Sequence, residues 1–136
     1  MEDTIFAKII RREIPADIIY EDAATLAFLD IHPINPGHTL VIPKVPAKNI
    51  FDISEDSLLA MMRTARKISG ALVNAVGAQG MNLGMNNNRV AGQLIFHAHL
   101  HLIPRFTDDG LTPWPEKKYS AGEAAALAEK IRGALL

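Results

Sequence analysis

At 136 residues and 49% apolar, the chain is long enough to form one domain with a core that needs no covalent staples. Its formal net charge is -1 and it carries no basic block of the kind that grips a phosphate backbone, so nucleic acid is not an expected partner. The absence of cysteine removes disulfides and thiolate metal sites and fits a reducing cytoplasm, and without a basic n-region or an apolar run of about 18 residues neither export nor a membrane span is expected.

In "DTIFAKIIRREIP", Asp3 or Thr4 can cap a helix of about two turns whose Ile5, Ile9 and Arg12 share a face, until Ile14-Pro15 ends it. "DIIYED" and "ATLAFLDI" read as strands carrying Ile18, Tyr20, Leu26 and Phe28, and "HTLVIP", His38 to Pro43, as a third. Ahead of that third strand stands "NPG". Pro36 presets φ and Gly37 supplies a positive φ, the chemistry of a type II turn in a hairpin-like connection. From Asp52 to Val76 the apolar residues Leu58, Met61, Met62, Ala65, Ile68, Leu72 and Val76 follow a 3.6 period, with Asp52 or Ser54 as cap and Gly77 as stop. The methionines on that stripe read as core filler.

A strand near Met81 to Met85 follows, then a polar loop "NNNRVAGQ", then a strand over "IFHAHLHLIPR", Ile95 to Arg105. The end of the chain, "SAGEAAALAEKIRGALL", opens with Ser120 and Glu123 in capping-box spacing, and Leu127, Ile131 and Leu135 form a stripe. That helix is expected to pack on the domain or on a partner. Five strands gathered on either side of one long helix, with a short N-terminal and a C-terminal helix, predict an antiparallel α+β fold. No repeat or linker divides the chain, so residues 1–136 read as a single domain with 113–136 as its tail.

Period two sends His97, His99 and His101 to one face of the last strand, and Ala98, Leu100 and Leu102 to the other. Three readings compete for these imidazoles. Neighbouring rings, about 6.6 Å apart at Cα, can chelate one ion, but the outer pair at about 13 Å cannot easily join, so a third ligand such as His38 is needed. Alternatively, all three are half-buried side chains satisfied by hydrogen bonds, although desolvating imidazoles side by side is costly unless each has a partner or a task. The third reading is phosphoryl chemistry. A neutral imidazole is nucleophilic near pH 7, and its neighbours can donate to phosphoryl oxygens or a leaving group.

The stretch H-A-H-L-H-L-I resembles the signature of the histidine triad family, H-φ-H-φ-H-φ-φ with φ apolar. "DTIFAKIIRREIPADIIYED" and "LAFLDIHPINPGHTLVIPK" extend the resemblance, which is greatest to the nucleotide-binding branch, the purine nucleoside phosphoramidases. The resemblance implies a homodimer joined through helix and strand contacts, and hydrolysis of purine nucleoside 5′-phosphoramidates or related AMP derivatives through a nucleotidyl-histidine, with no cofactor or metal. Its alternatives are a dinucleoside polyphosphate hydrolase and a purine-nucleotide-binding regulatory protein with weak catalysis.

The same resemblance assigns roles. His99 becomes the nucleophile, its ring held by the backbone carbonyl of His97, His101 contacts the phosphate and helps protonate the leaving group, and His38 supports the triad. Asp30 receives the ribose hydroxyls; Ile5, Phe6, Ile9, Phe28 and Ile31 surround the purine. Asn86, Gly92, Gln93 and Leu94 meet the phosphate and leaving group, with Gln93 able to donate an amide hydrogen. His32 matches no family position and reads as a solvated loop residue, while Arg89 and Arg105 either steer a polyphosphate or stand as surface cations.

Three departures stand out. Many relatives carry a serine or threonine at Leu94, and leucine cannot donate, so leaving-group preference or turnover should change. Zinc-bearing relatives have cysteines where this chain has Thr4 and Ala7 and a histidine near Pro46. Trp114 corresponds to a tryptophan near the end of relatives, but lies further from the triad and is followed by an extra helix.

Overall fold

The computed structural model describes residues 3–135. Helix α1, Ile5–Ile10, starts at Thr4, whose hydroxyl accepts from the Ala7 N–H at 3.1 Å. Its inner face is Phe6 and Ile9 rather than Ile5 and Arg12. The helix is too short to carry Arg12 on a helical face: the chain leaves it at Arg11, and Arg12 turns away at φ +63°.

Strands β1 (Ile18–Glu21), β2 (Thr25–Leu29), β3 (Thr39–Pro43), β4 (Gly80–Gly84) and β5 (Leu100–Arg105) form one antiparallel sheet in the order β1-β2-β3-β5-β4. The α+β expectation of five strands with one long and two shorter helices holds. Alternation sorts the side chains of the central strands between two clusters. Ala27, Val41, Leu100 and Leu102 pack with Met61, Ala65, Ile68 and Leu72 of helix α2, Glu55–Val76. Leu26, Phe28, Leu40 and Ile42 point the opposite way and pack with Phe6 and Ile9 of α1. The sheet is therefore the middle layer, and each fully buried Leu or Phe in these clusters contributes on the order of 2 kcal/mol.

Helix α2 begins at Ser54, whose side chain accepts from Ser57 N, and stops at Gly77 in the left-handed region. Asp52 is not the cap; its carboxylate receives the N–H groups of Lys48 and Asn49. Met61 is core as expected, whereas Met62 is exposed, and the stripe's missing place goes to Thr64, whose hydroxyl meets that of Thr25 at 2.6 Å. Between β2 and β3, His38 N–H donates to Asn35 O at 3.0 Å and Gly37 sits at φ +89°, the type II turn that "NPG" predicts. A Cβ at Gly37 would stand 2.9 Å from Val76 Cγ1, so this turn also lies flush against the end of α2.

One expectation fails, and another loses the first of its two branches. The histidine strand is shorter than its pattern: β5 starts at Leu100, because Ala98 N–H is taken by Ala47 O at 2.7 Å instead of by a neighbouring strand. Helix α3, Glu123–Ala134, does not pack on the domain within one chain. None of its described residues is buried, and Leu127, Ile131 and Leu135 stay 40%, 60% and 79% exposed. Half of its capping box forms: Glu123 accepts from Ser120 N at 3.0 Å, but the Ser120 hydroxyl caps no helix N–H, and the N-cap position falls to Gly122.

Candidate active site

On the α1 side of the sheet, a cavity of about 460 Å³ opens beside β3 and β5. Phe6, Ile9, Phe28 and Leu40 form its apolar wall, Ile5, Ile31 and Leu94 its more exposed rim, and Asp30, His38, His99 and His101 its polar end. Its size suits a small organic molecule. Rings stand in a row across it: Phe6 to His99 at 5.0 Å between centroids, His99 to His101 at 4.9 Å, and His101 to His38 at 5.2 Å.

The partners of each ring fix where its proton sits, since a carbonyl only accepts and a backbone N–H only donates. His97 is buried behind the cavity and donates its Nε2–H to Pro43 O at 2.8 Å. His99 donates its Nδ1–H to His97 O at 2.7 Å, which leaves the Nε2 lone pair free. His38 Nδ1 accepts from Ile34 N–H at 3.1 Å, so its proton is on Nε2, and that nitrogen lies 2.9 Å from His101 Nδ1. His101 consequently carries its own proton on Nε2, the buried side-chain atom that has no hydrogen-bond partner among the described residues. A lone pair and a donor thus share one cavity.

Burial keeps these rings neutral. It pushes the His99 pKa down to about 4, against the smaller opposing effect of the His97 carbonyl, and lowers those of His38, His97 and His101 for the same leading reason. Asp30 Oδ2 is 3.7 Å from His38 Nε2, beyond hydrogen-bond length, and Asp30 Oδ1 accepts from His32 N–H at 2.9 Å. A neutral His38 makes no ion pair with it.

Residues 11–108 match the HIT domain family. The purine nucleoside phosphoramidase of Escherichia coli is 45% identical over 105 residues, covering 75% of this chain and 87% of that one. The adenosine 5′-monophosphoramidase of Schizosaccharomyces pombe is 38% identical over 129 residues, 93% of this chain and 94% of the other. A solved Streptococcus mutans structure superposes with a TM-score of 0.93 at 38% identity, over 100% of this chain and 87% of that one. The chain belongs to the HIT domain family.

As a HIT protein it brings His38, His99 and His101 to the cavity, together with Asp30, Ile31, Ile5, Phe6, Ile9, Phe28, Gly92 and Leu94. His97 is not at its wall, and its ring holds the chain that presents His99. Asn86 sits against Gly92, where a Cβ would stand 3.3 Å from its Nδ2 and where φ is +96°, so a glycine is required. Gln93 lies elsewhere than expected. It is fully buried, its amide donates to Lys48 O at 2.6 Å and Ile95 O at 3.0 Å, and its oxygen accepts from Asn88 N and Asn49 Nδ2. No donor is left for a phosphate; the side chain is a clip that shapes the loop into His97.

His32, read as solvated, is exposed but stands at the cavity mouth. The sequence reading missed Leu40, Ile14, Ile34 and Ile95 in the lining. Leu40 alternates with His38 along the approach to β3, so period two could have found it; the others lie on irregular backbone with no such signal. Arg89 lies over the Phe96 ring, Arg105 is paired with Asp109, and neither lines the cavity.

The donor sets for a metal do not fit. Thr4 and Ala7, where the resemblance sets the cysteines of zinc-bearing relatives, offer a hydroxyl already used as a cap and a methyl group. Asp30, His38 and His101 present ligand atoms within 4.8 Å of one another. A neutral His38 bound to an ion through Nε2 would, however, have to carry its proton on Nδ1, directly facing the Ile34 N–H.

Proposed function

We infer that this HIT protein hydrolyses purine nucleoside 5′-phosphoramidates or related AMP derivatives through a nucleotidyl-histidine. One observation carries the reading: His99 Nε2 is an unprotonated, unblocked nitrogen whose ring is oriented by a backbone carbonyl, beside an unpartnered N–H on His101. The purine fits the slot of Phe6, Ile9 and Phe28, and the ribose hydroxyls meet the Asp30 carboxylate. His99 Nε2 attacks the α-phosphorus, a P–N bond to the ring forms, and the bond to the leaving amine breaks. That amine takes its proton from solvent, and the hydroxide this leaves is neutralised by the proton that the water attacking phosphorus in the next step gives up. His101 Nε2–H donates a hydrogen bond to the phosphoryl group as charge develops, and attack of a water on phosphorus then releases AMP and restores His99.

The lining supports a phosphoramidate over a dinucleoside polyphosphate. Among the described residues Asp30 is its only formally charged side chain, and no lysine or arginine lines it to balance a polyphosphate. Leu94, 77% exposed at the rim, offers a leaving group apolar contact in place of a hydroxyl donor.

As part of the same reading, the protein works as a single-domain cytoplasmic homodimer without nucleic acid. Support for the dimer comes from β4, an edge strand with Leu83 42% exposed, and from exposed Leu59 and Met62 on α2. Among the described residues no helix is long and apolar enough to cross a membrane.

The test is turnover of adenosine 5′-phosphoramidate by the wild type and His99→Ala. Loss of at least ~1000-fold in kcat, with an adenylyl adduct at position 99 trapped in the wild type by mass spectrometry, is expected. Equal residual rates in the two proteins would instead leave a nucleotide-binding regulator, and faster cleavage of diadenosine polyphosphate would favour that hydrolase.

A further inference from the structure

The proton on His101 Nε2 is placed by a chain of contacts that begins well outside the cavity. Asp109, in the turn after β5, is the hub. Its Oδ2 accepts from Arg105 Nε at 2.7 Å, from Phe106 N at 3.1 Å and from Asn35 Nδ2 at 3.1 Å, while Oδ1 accepts from Arg105 Nη2 and Leu111 N. The Arg105 guanidinium above all, and the backbone donors after it, hold this carboxyl far below the usual carboxylate range. The hub is therefore a permanent acceptor.

Asn35 uses its amide twice, on Asp109 and on Pro104 O at 2.9 Å, which straps the loop between β2 and β3 to the end of β5. Ile34 is the residue just before it, and its N–H is the donor that occupies His38 Nδ1. Were that N–H turned away, His38 would be free to carry its proton on either nitrogen, and with the proton on Nδ1 its Nε2 would become an acceptor facing His101 Nδ1. The proton of His101 would then move to Nδ1 to satisfy it. The cavity would be left with a second lone pair where a donor now stands.

We propose that Asn35, anchored by Asp109, is a positioning residue that sets the proton order Ile34 N–H to His38, His38 to His101, and His101 into the cavity. It touches no substrate in the reading above, and it acts only through the loop it holds. The role rests on the histidine chemistry for its kinetic consequence but not for its spectroscopic one.

Two measurements on the full chain test it. In 15N-labelled wild type, long-range 1H–15N correlation at neutral pH should show His38 and His101 both as the Nε2–H tautomer. In Asn35→Ala the Nδ1–H form of both should appear, with kcat for adenosine phosphoramidate down about tenfold while KM stays within about twofold, because the donor matters in the transition state rather than in binding. Wild-type His38 protonated on Nδ1, or an Asn35→Ala protein with unchanged tautomers and unchanged kcat, would overturn the proposal. Should Asn35→Ala fail to fold, the wild-type spectrum still decides the proton order. Asn35→Asp, which sets a second carboxylate against Asp109, then supplies the comparison and should give the same mixed tautomers. A wild type with the expected tautomers and no turnover would refute the hydrolase reading and leave the proton order standing.

Discussion

Around the histidines, polar atoms meet fixed partners: four rings, each tied to a carbonyl, a backbone N–H or another ring, are held against buried apolar walls. Helix α3 is the opposite case, with good helix formers, an apolar stripe and no buried residue within one chain. The first region is ordered by long-range contacts that leave one donor deliberately unmatched. The second is ordered only by its own backbone. A chemical site needs the former, because a nucleophile and a donor must be held at fixed positions before substrate arrives.

The sharpest way to break that contrast is at Gln93, where the cavity loop is clipped. Gln93→Ala removes a fully buried side chain, strands the Asn88 N–H that it satisfied and takes away one of the two acceptors of the Asn49 amide. A loss of about 3 kcal/mol or more in urea unfolding is expected, from the unpaired donor together with the cavity. If stability holds and only KM for nucleotide rises, Gln93 binds phosphate after all and the loop is held by other contacts.

Gln93 also shows what the sequence could and could not disclose. Its neighbours Gly92 and Leu94 line the cavity as the resemblance implies, and a one-residue step turns Gln93 inward, a direction that irregular backbone does not encode as a period. Where backbone is regular, pattern was enough: alternation placed Leu100 and Leu102 toward α2, and the 3.6 period placed Met61, Ala65, Ile68 and Leu72 toward the sheet. The strand boundary at Leu100 was hidden because the competing partner, Ala47 O, lies some fifty residues earlier, an approximate span that local propensity does not register. The tautomer order was equally out of reach, since it depends on which atoms of distant residues meet. What covers α3 was equally out of reach, because amphipathic spacing says that a face wants covering, by the domain or by a partner, without saying which.

A second, smaller effect should follow from acid. A histidine whose pKa falls on folding stays neutral in the native protein while the unfolded chain, titrating near 6.5, takes up the proton. Stability is whole above about pH 6.5 and is lost as pH drops toward the folded value, about 4 for His99, with His38, His97 and His101 acting in the same direction. The paired carboxylates Asp22, Asp52 and Asp109 have lowered values too, so their contribution is lost only at still lower pH. The melting temperature should therefore fall by several degrees, roughly, between pH 7 and pH 5, before those carboxylates respond. A flat melting temperature over that interval would mean that the rings are more solvated than their geometry indicates.

The smallest effect belongs to the tail, and it sharpens the comparison most. Ending the chain after Tyr119 removes α3 and its stripe of Leu127, Ile131 and Leu135 but, among the described residues, none that is buried. A helix of this length is marginal alone, and exposed surface contributes little, so unfolding of the remaining chain should change by no more than about 0.5 kcal/mol. Measured in urea at two protein concentrations a hundredfold apart, that small difference should be the same at both. A larger loss that grows on dilution has a different meaning: in solution the stripe is covered by a second copy, because only an association equilibrium makes stability depend on concentration. In that case α3 would join the histidine region as a segment ordered by burial, with the burying surface on another chain.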